Sequence, residues 1–243
     1  MVTLPEDERE LLLDVRDLHI SFKGRPVLRG VNLQLYRGET VVLLGGSGCG
    51  KSTLFRILIG AIKPDSGEIT VLGKSLTGLH GEARDEVCKQ VGILFQAGAL
   101  FHSMSVGENI ACVLREHTSL SEEEIALLVR MKLEMVGLRH AEELLPSEIS
   151  GGMKKRVALA RALALNPQIM LYDEPGAGLD PVTLAGVDRL IDTLGRALNI
   201  SSMVITHRIH SAMRIAHRMV FLHKGLVLAE ETPERMLEHD DPI

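Results

Sequence analysis

Tryptophan is absent from this 243-residue chain, and aromatic residues make up only 3% of it. A surface that binds nucleic acid by stacking bases on rings needs more of them. The core must be aliphatic, drawn from Leu, Ile, Val, Ala and the ten Met. Cysteine is also scarce: Cys49, Cys88 and Cys112 are odd in number, widely spaced and form no CxxC pair. That argues against a metal or disulfide framework and suits a reducing cytosol. Positive charge is not in surplus. With a formal net charge of −5, the chain has no whole-domain basic footprint for nucleic acid, and only a local basic groove stays open. No apolar run reaches the length needed to cross a bilayer. The acidic opening, Met1 to Arg9, lacks the basic and apolar regions of a signal peptide. Work at a membrane would require something else to hold the chain there.

The remaining composition, 45% hydrophobic and 24% charged, excludes disorder, collagen-like repeats and a disulfide scaffold. The length allows one large α/β domain or two small ones. Leu18, Ile20 and Phe22 alternate with polar residues, as do Val31, Leu33 and Leu35; both read as half-buried strands. Continuous apolar runs follow at 40–44, 91–95, 169–172 and 202–205, the pattern of strands buried on both faces of a parallel sheet. His223-Lys224-Gly225 between two short apolar runs signals a hairpin. Helices are expected over 51–59, from a capping box at Ser121–Glu124 through Val136, and from about Met153 to Leu165, stopped by Asn166-Pro167. The stretch 97–165 carries no convincing strand and reads as a helical insertion in a doubly wound α/β core.

The strongest motif is Gly45-Gly46-Ser47-Gly48-Cys49-Gly50-Lys51-Ser52, which fits G-x-x-x-x-G-K-[ST] and stands between a buried strand and a helix. Glycines let the backbone wrap so that N–H groups and the helix N-terminus point at phosphate oxygens. Lys51 would neutralise β- and γ-phosphate charge, Ser52 would ligate Mg²⁺, and Thr53 completes the ATP-binding stretch. Cys49 occupies a free position in the motif. A second signal is the strand 169–172 running into Asp173-Glu174. Adjacent carboxylates at a buried strand end call for a cation: Asp173 would hold Mg²⁺ through its hydration shell, and Glu174 would orient the attacking water. Ser150-Gly151-Gly152 at a helix N-terminus makes a second anion site, followed by Met153.

Together these motifs resemble the ATP-binding subunits of ABC transporters over nearly the whole chain. Glu148 to Arg156 is similar to the ABC signature. The resemblance makes Gln96 the Q-loop residue reaching Mg²⁺ and water, Asp180 the D-loop residue, His207 the switch histidine at the γ-phosphate, and Phe22 the aromatic that stacks on adenine. Taken alone, His207 would pass for a structural residue and Phe22 for core. The implied fold is α/β, a P-loop NTPase of ABC ATPase type, with a mostly parallel core sheet, an antiparallel β subdomain and a helical subdomain. Residues 1–96 and 166–243 would form the ATP-binding core with its β subdomain, and 97–165 the helical subdomain carrying the signature.

The segments Leu94–Phe101, Leu114–Thr118, Met131–Arg139 and Leu145–Met153 narrow the resemblance to the Mla family, ATPases of a Gram-negative inner-membrane phospholipid transporter. What this implies is ATP and Mg²⁺ as cofactors and a nucleotide-dependent head-to-tail dimer with a second copy. It also implies a separate transmembrane permease, a small cytoplasmic regulatory protein and a periplasmic lipid-binding protein. No nucleic-acid partner is expected, and the chain would sit at the cytoplasmic face of the inner membrane through the permease. The chain stops at His239–Ile243, where the family is expected to continue into a longer tail. Two alternatives stay open: an ABC ATPase for another cargo, and a non-transport ABC ATPase acting on nucleic acid.

Overall fold

The computed structural model describes residues 9–76 and 81–238. Most of the acidic opening and the last five residues lie outside that set. Among the described residues the strands form two sheets. The first is antiparallel, in the order β2-β1-β4-β5, from β1 (Leu11–Phe22), β2 (Arg25–Tyr36), β4 (Ser66–Val71) and β5 (Lys74–Ser75). The second has the order β10-β9-β3-β8-β7-β6. It contains β3 (Thr40–Leu44), β6 (Val91–Leu94), β7 (Ile169–Asp173), β8 (Ser201–Ile205), β9 (Arg218–His223) and β10 (Leu226–Glu231). All its pairings are parallel except β10 on β9, the hairpin expected around Lys224-Gly225.

The apolar runs are explained by the two sides of this second sheet. Val42 and Leu44 face one hydrophobic cluster, Val41 and Leu43 the other, and β3 is buried throughout. Met170 and Tyr172 of β7 likewise oppose Ile169 and Leu171. A strand with no wet face has no polar alternation. One cluster carries the antiparallel sheet and α1 (Lys51–Leu58). The other is filled by α3 (Val106–His117), α4 (Glu122–Met135), α5 (Gly151–Ala162), α6 (Pro181–Ala197) and α7 (Ile209–Ile215). The short α2 (Glu82–Lys89) precedes β6, and α8 (Pro233–Met236) follows β10.

Three details differ from the sequence expectation. β1 begins at Leu11 rather than near Leu18, because register shifts bracket Arg16 and Asp17 and Asp17 takes a φ of 46°; a bulge of this kind breaks the period of two. The helix expected from Met153 begins at Gly151, capped by Ser150, and ends at Ala162. β6 stops one residue earlier than expected, which leaves Phe95 in the loop beyond it, and β8 begins one residue earlier, at Ser201, while ending at Ile205 as expected. The capping box at Ser121 and Glu124 is present, with reciprocal bonds of 3.3 and 2.7 Å.

The register sets the position of the site. Leu43 lies beside Ile205, and Ile205 beside Asp173, so β3, β8 and β7 end at one level. The loops carrying Gly45, Glu174 and His207 therefore leave the sheet side by side, at the carboxyl ends of parallel strands where open α/β sheets bind their ligands.

Candidate active site

Conformation and close packing dictate the glycines of the first loop. Gly45 (φ 153°) approaches β9 so closely that a Cβ would stand 2.2 Å from the Leu222 carbonyl oxygen and 2.7 Å from Cys49 Sγ. Gly50 (φ 116°) is similarly confined by Leu28, at 2.7 Å, whereas Gly48 (φ 76°) needs only the left-handed backbone and faces open space. The chain turns directly into α1, whose first turn has neither an acidic residue nor a side-chain cap. Its free N–H groups are a ready anion site. The Lys51 ammonium lies across the loop, donating to the carbonyls of Gly45 (2.7 Å) and Gly46 (2.9 Å), with Cys49 Sγ at 3.6 Å. Ser47 and Ser52 are exposed, Thr53 is half-buried, and Cys49 is buried.

Facing this loop, β7 ends in Asp173, and Glu174 follows it directly. Burial pushes the Asp173 carboxyl above the usual aspartate range, and the Glu174 charge adds to it; Arg56, Lys155 and Lys51 pull the other way. Glu174 is held in the left-handed region at φ 46°, its N–H donating to the Ile205 carbonyl at 2.9 Å. That conformation costs a residue with a Cβ about 1–2 kcal/mol, and such strain gathers at functional sites. The side chain is only 14% exposed. Oε1 lies 2.7 Å from His207 Nδ1, and Oε2 accepts from the Thr206 hydroxyl at 3.3 Å. With Glu174 ionised, Nδ1 carries the proton. The His207 side chain is 64% exposed.

Gln96 follows β6 by two residues and is exposed; its carbonyl accepts from the buried Lys155 ammonium of α5. Burial lowers the Lys155 pKa, opposed by the charges of Asp173 and Glu174. The signature is built elsewhere, at the start of α5 where it packs against α6. Ser150 caps α5 by accepting from the Met153 N–H at 3.2 Å, Gly151 is exposed, and a Cβ at Gly152 would stand 2.5 Å from Thr183 Cγ2. Asp180 caps α6, accepting from Val182 and Thr183 N–H at 3.0 and 3.1 Å. The Thr183 hydroxyl, ahead of the Thr183 N–H, leads the causes that hold its carboxyl below the usual range. Phe22 ends β1 and is 44% exposed, a ring at the surface rather than in the core.

Lys51, Asp173, Glu174 and His207 therefore gather at the carboxyl end of the second sheet, and the Gln96 backbone is tied to the same region through Lys155. Ser150–Gly152 form a separate helix N-terminus beside the α6 cap. Two participants escaped sequence reading. Thr206 gave no signal beyond preceding His207. Lys155 was hidden in the run Lys154-Lys155-Arg156, although its spacing of three and four residues from Gly152 and Leu159 puts it on the buried face of α5.

The arrangement fits a nucleotide triphosphate site, and the ABC transporter family model matches residues 28–177. The chain belongs to that family and is an ATP-binding, ATP-hydrolysing cassette. It is 41% identical over 230 residues to the intermembrane phospholipid transport system ATP-binding protein MlaF of Haemophilus influenzae, covering 95% of this chain and 87% of that protein. A probable ribonucleotide transport ATP-binding protein, mkl, of Mycobacterium leprae is 39% identical over 231 residues, 95% of this chain and 67% of that one. Among solved structures, the dimeric ATP-binding cassette MJ0796, bound to ADP and Pi in a post-hydrolysis state, is similar at a TM-score of 0.83 and 30% identity, covering 91% of this chain and 99% of that one.

Proposed function

We propose that this chain is the ATPase subunit that powers phospholipid transport between inner and outer membrane through a separate permease. The observation that carries this reading is the reach of the likeness to MlaF. It spans 230 residues, so it must include most of α3 to α5 as well as the nucleotide motifs common to all such cassettes. Among the described residues no helix is long and apolar enough to cross a membrane, which is compatible with attachment through partner proteins at the cytoplasmic face. A permease and Mla-type regulatory and periplasmic lipid-binding subunits would complete the system.

On this reading the phosphates lie on the Gly45–Thr53 loop, Phe22 stacks on adenine, and Lys51 turns from its loop carbonyls to the β- and γ-phosphates. Glu174, oriented by His207 and Thr206, aligns the attacking water. The oxygen donors Ser52, Asp173 and Gln96 suit a hard cation, and the raised Asp173 carboxyl marks a place where added positive charge is favourable. Mg²⁺ bound there would neutralise charge developing on the phosphates. Ser150–Met153 of a second copy would close over the γ-phosphate, giving that separate helix N-terminus its anion, while Asp180 would lie where the copies meet.

The test is purification of the chain with its bound proteins from native membranes, followed by reconstitution into vesicles. ATP-dependent transfer of labelled phospholipid supports the proposal. Transport of nucleotides instead, as the mkl relative's name suggests for that protein, would replace the cargo while leaving the ATPase assignment in place.

A further inference from the structure

Lys155 is 7% exposed, and its ammonium donates to the Gln96 carbonyl. Burying an ammonium is costly without a strong local partner, so its place under the Gln96 loop needs a reason. Farther along α5, Arg161 donates to the carbonyls of Ala99 (2.8 Å) and Gly98 (3.0 Å), and its guanidinium lies over the Phe101 ring at 5.6 Å. Gly98 rests on the same helix; a Cβ there would stand 3.4 Å from the Ala158 methyl. The loop is thus fastened to α5 at three carbonyls. Its near end is fastened to the core, where Phe95 meets Phe55 of α1 edge-on at 6.2 Å. Gln96 stands between an anchor on the phosphate-loop helix and an anchor on the signature helix.

We propose that Lys155 is a positioning residue for ATP hydrolysis: it holds the Gln96 backbone from the signature helix, so that a shift of α5 moves Gln96 relative to the phosphate loop of the same chain. The proposal rests on the assignment of Gln96 to the hydrolytic site made above. Arg161 fixes the loop farther on, beyond the functional side chain, and Lys155 acts at the residue itself. The Asp173 and Glu174 charges reach the same ammonium through space, so the tether lies on the side of the site where hydrolysis would occur.

The test uses the full chain carrying Lys155→Met, Lys155→Arg or Lys155→Gln. Lys155→Met is expected to lower kcat about 10- to 100-fold, as loss of an orienting partner does, with MgATP affinity changed less than about threefold. The other two retain a donor for the carbonyl and should recover most of the rate. In a Gln96→Ala background, Lys155→Met should add no further loss, because both changes break one linkage. Hydrogen exchange without nucleotide should speed up across 95–101 in Lys155→Met. Parental turnover in Lys155→Met, joint collapse of rate and affinity unrelieved by Lys155→Arg, or multiplied losses with Gln96→Ala would each overturn the proposal. A parent chain that hydrolysed no ATP would overturn the enzymatic reading instead, and the exchange measurement would still decide the tether.

Discussion

Glu174 combines a strained backbone with a carboxylate fastened at both oxygens, by His207 and by Thr206. Such fixing lowers the reorganisation needed to align a water, and a neutral amide in its place keeps the shape without the basicity. Glu174→Gln is expected to bind MgATP like the parent and to hydrolyse it at least about a hundredfold more slowly; equilibrium binding and single-turnover assays would show this, and parental turnover would remove Glu174 from its role. Asp173 makes a different prediction. Its carboxyl is raised by burial and by Glu174, so the folded chain holds the proton more tightly than the unfolded one. The neutral form thus contributes stability below the ordinary aspartate range, and that contribution is lost as pH rises through the folded value. Asp173→Asn is neutral throughout. It should raise the Tm of the nucleotide-free protein near about pH 7, with the gain fading toward about pH 4, while hydrolysis is lost. A lower Tm near neutral pH would mean that the pull of Lys51, Arg56 and Lys155 dominates.

At the scale of elements, what was legible in the sequence followed from local necessity. The phosphate loop could be read because Gly45, Gly48 and Gly50 each need a backbone that L side chains rarely adopt. The parallel strands could be read because burial on two faces leaves unbroken apolar runs. What stayed hidden depended on partners distant in sequence. The first half of β1 is masked by the bulge at Asp17. α3 has its own capping box at Ser105 and Glu108, yet its helical pattern was not separated from the surrounding insertion. Asp180 was assigned from its motif alone, but in the fold it also starts α6. That double duty is testable. Its carboxyl is held low by the Thr183 hydroxyl first and then by the N–H groups at the helix start, so its capping contribution is present above the ordinary aspartate range and is lost as pH falls through the folded value. Asp180→Ala should lower Tm at neutral pH, and Asp180→Asn, which still accepts those bonds, should lower it less; equal losses would deny the cap its role.

At the scale of the whole molecule, one chain offers two anion sites: the α1 terminus beside the carboxylates and the α5 terminus on α6. A single triphosphate can use both only if a second copy supplies one of them, and a two-fold arrangement then makes two equivalent composite sites. Val182, 80% exposed in the first turn of α6, is an apolar side chain that such a contact would cover. The arrangement can be tested by mixing two inactive variants. Lys51→Ala disables the phosphate loop, and Ser150→Arg fills the signature with charge and bulk while leaving the loop of its own chain intact. Each homodimer carries two broken sites. In the mixed dimer one site collects both defects, and the other joins an intact loop to an intact signature. Equal mixing should therefore restore up to about a quarter of the parental sites, measured as ATP turnover that appears only on combination. Ser150→Arg alone should retain nucleotide affinity near that of the parent monomer. If the mixture stays as inactive as its components, or if Ser150→Arg alone hydrolyses ATP at the parental rate, the signature does not act on the nucleotide of its neighbour.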